Sequence, residues 1–198
     1  MMNKKELIHS LKNQKFSLPI IKAFEKVDRS NFVPTGFKEK SYQDIPLPIG
    51  YNQTISQPYT IAFMLMLADI KDNQRILEVG SGSGYVLALL SNLSQTVEIM
   101  GFEIIKELAE NSKKQLEKYK NVEIIHGNAL KYLDDEKEFD RIIVRAASTD
   151  IPQKLLKKLK FGGRMVVPVK NSLVVIEKDI GENKMTEYPG FSFVPLIK

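Results

Sequence analysis

The chain has 198 residues, 43% of them hydrophobic and 27% charged, with a formal net charge of +5. That is the size and balance of one ordinary soluble domain, and no apolar run approaches the roughly 18 residues of a membrane span. With no cysteine there is no disulfide, thiolate metal site or catalytic thiol, and His9 and His126 lie too far apart in sequence for a familiar metal-ligand pair.

The N-terminus lacks the apolar segment of a secretory signal, so the cytoplasm is the expected location. Apolar residues recur at helical spacing over 3–13 (Leu7, Ile8, Leu11) and about 18–27 (Ile20, Ile21, Phe24, Val27), a helical lead-in that includes His9. Residues 28–57 read as a loop region. Its later part, Asp44 to Pro58, is apolar and rich in turn formers, with neither a helical nor a strand period. Its prolines restrict the backbone, so ordering it costs little entropy, and so apolar a loop makes sense as a pre-shaped lining for a ligand. Pro58 suits the first turn of a helix with Ser56 placed to cap it, and Ile61, Met64, Leu65 and Ala68 then face one way.

From residue 75 short β-rich runs alternate with helical patterns. Strands are expected at Arg75–Val79, Val97–Phe102, Val122–His126, Phe139–Val144 and Arg164–Val169, and helices at Gly84–Leu93, Ile104–Tyr119 and Pro152–Leu159. After Gly162-Gly163 only strands follow, Leu173–Lys178 and Phe191–Ile197. The expected class is α/β: a Rossmann-like, doubly wound, mostly parallel sheet with an antiparallel C-terminal edge and a helical N-terminal cap. It forms a single domain over 1–198, divided into cap and substrate loop (1–57), cofactor-binding core (58–170) and C-terminal strands (171–198). Lysines alternate with acids along 106–118, the pattern of a solvated helix face and not of a nucleic-acid stripe.

Glu78-Val79-Gly80-Ser81-Gly82-Ser83-Gly84 lies between a strand and a helix, where glycines let the backbone turn tightly beside a ligand and the helix offers amide donors. Roughly twenty residues on, Glu103 ends the second strand, placed to take both hydroxyls of a ribose. The strictly alternating glycines after an acid differ from a dinucleotide turn and resemble those of class I S-adenosylmethionine-dependent methyltransferases. That resemblance assigns Glu78, Gly80, Ser81, Gly82, Ser83 and Gly84 to the methionine end, Glu103 and Ile104 to the ribose, and Asn128 and Ala129 to the adenine. His126, ending an apolar strand, reads as a packed histidine.

A more specific resemblance covers nearly the whole chain in order. Leu47-Pro48-Ile49-Gly50 and Gln53-Thr54-Ile55-Ser56-Gln57-Pro58 are similar to the signature of the protein-L-isoaspartate O-methyltransferase family. So are Arg29, Phe32-Val33-Pro34, Tyr42-x-Asp44, the turn from Glu78 to Tyr85, Phe139 to Val144 with Ala146-Ala147, Gly162-Gly163-Arg164, Val167-Pro168-Val169 and Phe193 to Leu196. The resemblance implies methyl transfer from S-adenosyl-L-methionine, leaving S-adenosyl-L-homocysteine, to the α-carboxylate of L-isoaspartyl residues in damaged proteins and peptides, followed by repair through a succinimide. It marks Ser56 as catalytic, and places Ile55, Ser56, Arg145, Ala146, Ala147, Val194 and Leu196 against the substrate.

The chemistry suits the residue set, because a carboxylate with an ordinary pKa near 4 is already a nucleophile at neutral pH and needs alignment and dryness more than a base. The working unit is expected to be a monomer, with no metal, membrane or nucleic-acid partner. This chain departs from the family at Asn128-Ala129, usually Asp-Gly; at Arg145, usually small; at Ile197, often polar; and at Asn52, often glycine. A class I RNA methyltransferase and a weakly active relative that keeps the cofactor remain alternatives at this point.

Overall fold

The computed structural model describes residues 2–133 and 137–197. Helix α1 (Lys4–Asn13) opens on a capping box, in which Asn3 Oδ1 accepts from Glu6 N and Glu6 Oε2 accepts from Asn3 N. It packs on α2 (Leu18–Lys26), as the apolar spacing predicted.

Residues 28–57 are more ordered than the expected loop. Two short 3-10 helices, Arg29–Phe32 and Thr35–Lys40, precede an antiparallel hairpin of β1 (Leu47–Gly50) and β2 (Gln53–Ile55). Tyr51 and Asn52 at its tip have φ of 54° and 56°, the left-handed pair that lets a two-residue turn follow the twist of its strands. The turn lacks the glycine that usually announces such a hairpin, and each strand is too short to show a period.

Helix α3 (Pro58–Ala68) begins at the expected proline, and Ile61, Met64, Leu65 and Ala68 are all buried. Its N-cap is Gln57 with no side-chain bond, so Ser56 is not the cap. Asp44 fills that role from across the segment, its Oδ1 accepting from Tyr59 N at 2.7 Å.

The remaining elements are β3 (Arg75–Val79), α4 (Tyr85–Leu93), β4 (Glu98–Glu103), α5 (Lys106–Gln115), β5 (Val122–His126), the short α6 (Ala129–Tyr132), β6 (Phe139–Val144), α7 (Gln153–Lys157), β7 (Leu159–Val169), β8 (Ser172–Glu177) and β9 (Lys184–Pro189). The sheet runs β5-β4-β3-β6-β7-β8-β9, parallel through β7 and antiparallel at β8 and β9. The last strand is Lys184–Pro189, not Phe191–Ile197. The latter residues form an extended strap with one bridge, Pro195 to Ala147.

Strand periodicity divides the core between the two faces of the sheet. Ile76, Ile143, Val166 and Val175 pack with α1 to α5, while Leu77, Ile142, Met165 and Val174 pack with Leu155 of α7 on the other face. The chain moves outward from β3 to β4 and β5, then returns to the other side of β3 with β6. That reversal opens a crevice beyond the carboxyl ends of the strands.

Candidate functional site

Site residues follow the ends of four neighbouring strands. After β3 the glycine turn coils with φ of 82°, 53° and 82° at Gly80, Gly82 and Gly84. At Gly84 a Cβ would lie 2.8 Å from Leu116 Cδ1, so glycine is what lets α4 start against the residues after α5. Much of the turn's donor capacity goes into holding its own shape. Gly80 N and Ser81 N donate to Phe102 O at 2.8 and 3.0 Å, and Gly84 N donates to Ser81 O at 2.9 Å. Gly82 N donates to Glu103 Oε2 at 2.7 Å.

Glu103, buried at the end of β4, accepts a second amide, Ile105 N to Oε1 at 2.9 Å. Each carboxylate oxygen retains acceptor capacity for a ligand hydroxyl. After β5, Asn128 caps α6, its Oδ1 accepting from Leu130 N at 2.9 Å, and its Nδ2 donates to Ile197 O at 3.4 Å. His126 is exposed and does not line the cavity, contrary to the packed role expected of it.

The hairpin and the strap roof these strand ends. Arg29 is 1% exposed and staples the hairpin's base: Nη1 donates to Ser41 O and Gln43 O, and Nη2 to Ile45 O at 3.1 Å and Ser56 O at 3.2 Å. Burial lowers its pKa to about 10, so the guanidinium stays charged at neutral pH. On the opposite side Ala147 N donates to Val194 O at 2.7 Å and Ala147 O accepts from Leu196 N at 2.8 Å, sewing the strap to the loop after β6.

Between roof and sheet lies a cleft, partly open to solvent, whose empty space with that open solvent included is about 860 Å³. Its walls bring together Ile55, Ser56, Glu78, Gly80, Ser81, Gly82, Ser83, Glu103, Ile104, Asn128, Ala129, Arg145, Ala146, Val194 and Leu196. Gly84 and Ala147 are not in the wall; each positions neighbours through its backbone. Ile49, Gln53, Thr54, Tyr85, Phe102 and Ile197 are also in the lining, although the resemblance assigns none of them a role in the site. Tyr85 opens α4, and its ring packs on Phe24 and Phe32, a contact that no sequence spacing announces.

Charge inside the cavity is incompletely matched. Glu78 is 1% exposed, its Oε2 has no hydrogen-bond partner, and burial raises its pKa to about 8; Arg145 pulls it down and Glu103 pushes it further up. Burial lowers the pKa of Arg145, against the pull of Glu78. The Ser56 hydroxyl has no partner among the described residues, although its carbonyl is held by Arg29. Among the described residues there is no cluster of three potential metal ligands, and no helix is long and apolar enough to cross a membrane.

Residues 2–198 match the family model for protein-L-isoaspartate(D-aspartate) O-methyltransferase. A protein-L-isoaspartate O-methyltransferase 2 of Archaeoglobus fulgidus is 41% identical over 187 residues, covering 91% of this chain and 85% of its own. A protein-L-isoaspartate O-methyltransferase of Methanothrix thermoacetophila is 38% identical over 202 residues, covering 99% and 95%. Among solved structures, a Plasmodium falciparum chain described as a beta-aspartate methyltransferase, crystallised with S-adenosyl-L-homocysteine, superposes over all of both chains with a TM-score of 0.88 at 26% identity.

Proposed function

The chain belongs to the protein-L-isoaspartate(D-aspartate) O-methyltransferase family, and from that premise we propose how its cavity divides between cofactor and substrate. The enzyme uses S-adenosyl-L-methionine to methylate the α-carboxylate of L-isoaspartyl residues, the first step in repairing damaged proteins through a succinimide.

The cofactor half comprises the ends of β3, β4 and β5. Three features of the residues fit that group. Glu78 Oε2 and Ser81 Oγ are buried without partners, Glu103 keeps free acceptor capacity on both oxygens, and the Gly82 backbone runs so close to Ile49 that a Cβ would meet Cδ1 at 3.2 Å. Glu78, Gly80, Ser81, Gly82 and Ser83 hold the methionine end, Glu103 and Ile104 the ribose, and Asn128 and Ala129 the adenine. When bound, the cofactor supplies a methyl group made electrophilic by its positively charged sulfur.

The substrate half comprises Ile55, Ser56, Ala146, Ala147, Val194 and Leu196, with Arg145 at the boundary between the two halves. Ser56 donates its hydroxyl hydrogen to one carboxylate oxygen and leaves the other to attack. Arg29, by fixing the Ser56 carbonyl, fixes the direction from which that hydroxyl comes. Ile49, Ile55, Val194 and Leu196 keep water from the carboxylate, which strengthens it as a nucleophile. No general base is required, because the attacking group is ionised at neutral pH. Ala146 and Ala147 leave width for a polypeptide backbone. One chain is the working unit in this reading, and the substrate is a polypeptide, not a nucleic acid.

The observation that carries the assignment is Ser56: an unpartnered hydroxyl at the cavity wall, on a backbone held by a buried guanidinium. In Ser56→Ala, turnover of an isoaspartyl peptide should fall about 10-fold or more, the worth of one charged hydrogen bond. The dissociation constant for S-adenosyl-L-homocysteine, read by calorimetry, should stay within about 2-fold of the wild-type value. Parallel loss of both would make Ser56 a structural residue.

A further inference from the structure

Arg145 is the charged residue of the cavity that the division above uses least. Its main chain belongs to the site's frame, with N donating to Val79 O at 2.8 Å, and its Cβ stands 3.7 Å from where a Cβ on Gly80 would be. Its guanidinium finds no oxygen partner among the described residues. Its one side-chain contact is Nη1 to Met64 Sδ at 3.2 Å, and a thioether is a weak acceptor. Glu78 lines the same end of the cavity with Oε2 buried and unpartnered, yet no ion pair among the described residues joins the two. An acidic and a basic side chain thus face one space and leave each other's hydrogen-bonding capacity unused. The ligand group complementary to such a pair carries both signs on neighbouring atoms, as an α-amino acid does.

Strand order says which ligand brings that group. Asn128 follows β5, Glu103 ends β4, Glu78 lies in β3 and Arg145 follows β6, and these four strands are consecutive neighbours in the sheet. A ligand with its adenine beyond β5 and its ribose beyond β4 has its amino-acid end beyond β3 and β6. We infer that Arg145 takes the α-carboxylate of the cofactor's methionyl end, facing Glu78 on the ammonium side, and so makes this chain selective for ligands that keep that carboxylate. A guanidinium on the isoaspartyl carboxylate would instead hold back the electron pair that attacks the methyl group, which speaks against the substrate as its partner.

The inference rests on the cavity being the cofactor site, and binding measurements separate the two claims. S-adenosyl-L-homocysteine and its decarboxylated analogue, S-adenosyl-3-thiopropylamine, would be titrated calorimetrically into the wild type, Arg145→Met and Arg145→Lys. The wild type should prefer S-adenosyl-L-homocysteine by about 10- to 100-fold, the span of hydrogen bonds to a charged group. Arg145→Met should lose most of that preference by weakening only the carboxylated ligand, and Arg145→Lys should keep part of it. An undiminished preference in Arg145→Met overturns the inference. So does an unchanged S-adenosyl-L-homocysteine affinity with a raised KM for isoaspartyl peptide, which would hand Arg145 to the substrate. If Arg145→Met does not fold, the wild type decides, a preference below about 3-fold counting against the inference. Failure of S-adenosyl-L-homocysteine to bind the wild type at all would sink the cofactor site itself.

Discussion

Glu78 shows how the fold keeps a binding group in a costly state until its ligand arrives. It sits at the end of a central strand, buried, with one carboxylate oxygen unpartnered, and burial outweighs the attraction of Arg145. Its pKa of about 8, raised from an ordinary 4.5, means that the folded chain binds this proton more tightly than the unfolded chain does. The stabilisation from that proton is complete below the ordinary value and is lost as pH rises through about 8. Unliganded wild type should therefore lose thermal stability between these two values relative to Glu78→Gln, whose amide does not titrate. Scanning calorimetry of both proteins across that range checks it, and parallel pH profiles would show that Glu78 is already ionised in the folded chain. Arg145 and Ser56 are of the same kind, polar side chains whose partners among the described residues are weak or absent.

Among the elements, the hairpin and the glycine turn act as one part. Ile49 of β1 reaches the turn closely enough that a Cβ on Gly82 would meet it at 3.2 Å, and Gly82 has φ of 53°. Gly82→Ala should cost about 1–2 kcal/mol of stability from the left-handed backbone alone. It should also push the hairpin away from the turn, lowering S-adenosyl-L-homocysteine affinity. Chemical denaturation with a binding titration tests both; unchanged affinity would show that the two parts move independently. The strands Arg75–Val79, Val122–His126 and Phe139–Val144 were legible to the residue, because β-rich runs bounded by turn residues have few other readings. The hairpin was hidden by Pro48, by strands of four and three residues, and by a Tyr-Asn turn in place of glycine. Strand β9 was missed because five of its six residues are exposed, so no apolar alternation marks it. Phe191–Ile197 misled in the opposite sense. Several of its apolar residues line a ligand cavity instead of pairing in a sheet, and composition does not separate the two uses. The same limit applies to Arg29, whose partners are backbone carbonyls and leave no trace in residue spacing.

The molecule as a whole solves a problem of assembly. A reversal of strand order opens the crevice, the N-terminal third folds a stapled hairpin over one side, and the strap from the C-terminal end closes the other. Cofactor residues therefore come from the middle of the sequence and substrate residues from either side of it, yet they meet in one space. The net charge of +5 takes no part in this account, since positive residues alternate with acids on the surface of α5 and the cavity carries charge of both signs. The most direct test is transfer itself. The purified protein would be incubated with radiolabelled S-adenosyl-L-methionine and with matched L-isoaspartyl and L-aspartyl peptides, and RNA would serve as a competing acceptor. Label should enter the isoaspartyl peptide alone, as a base-labile ester. Label in RNA, equal labelling of the two peptides, or none in either would contradict the account.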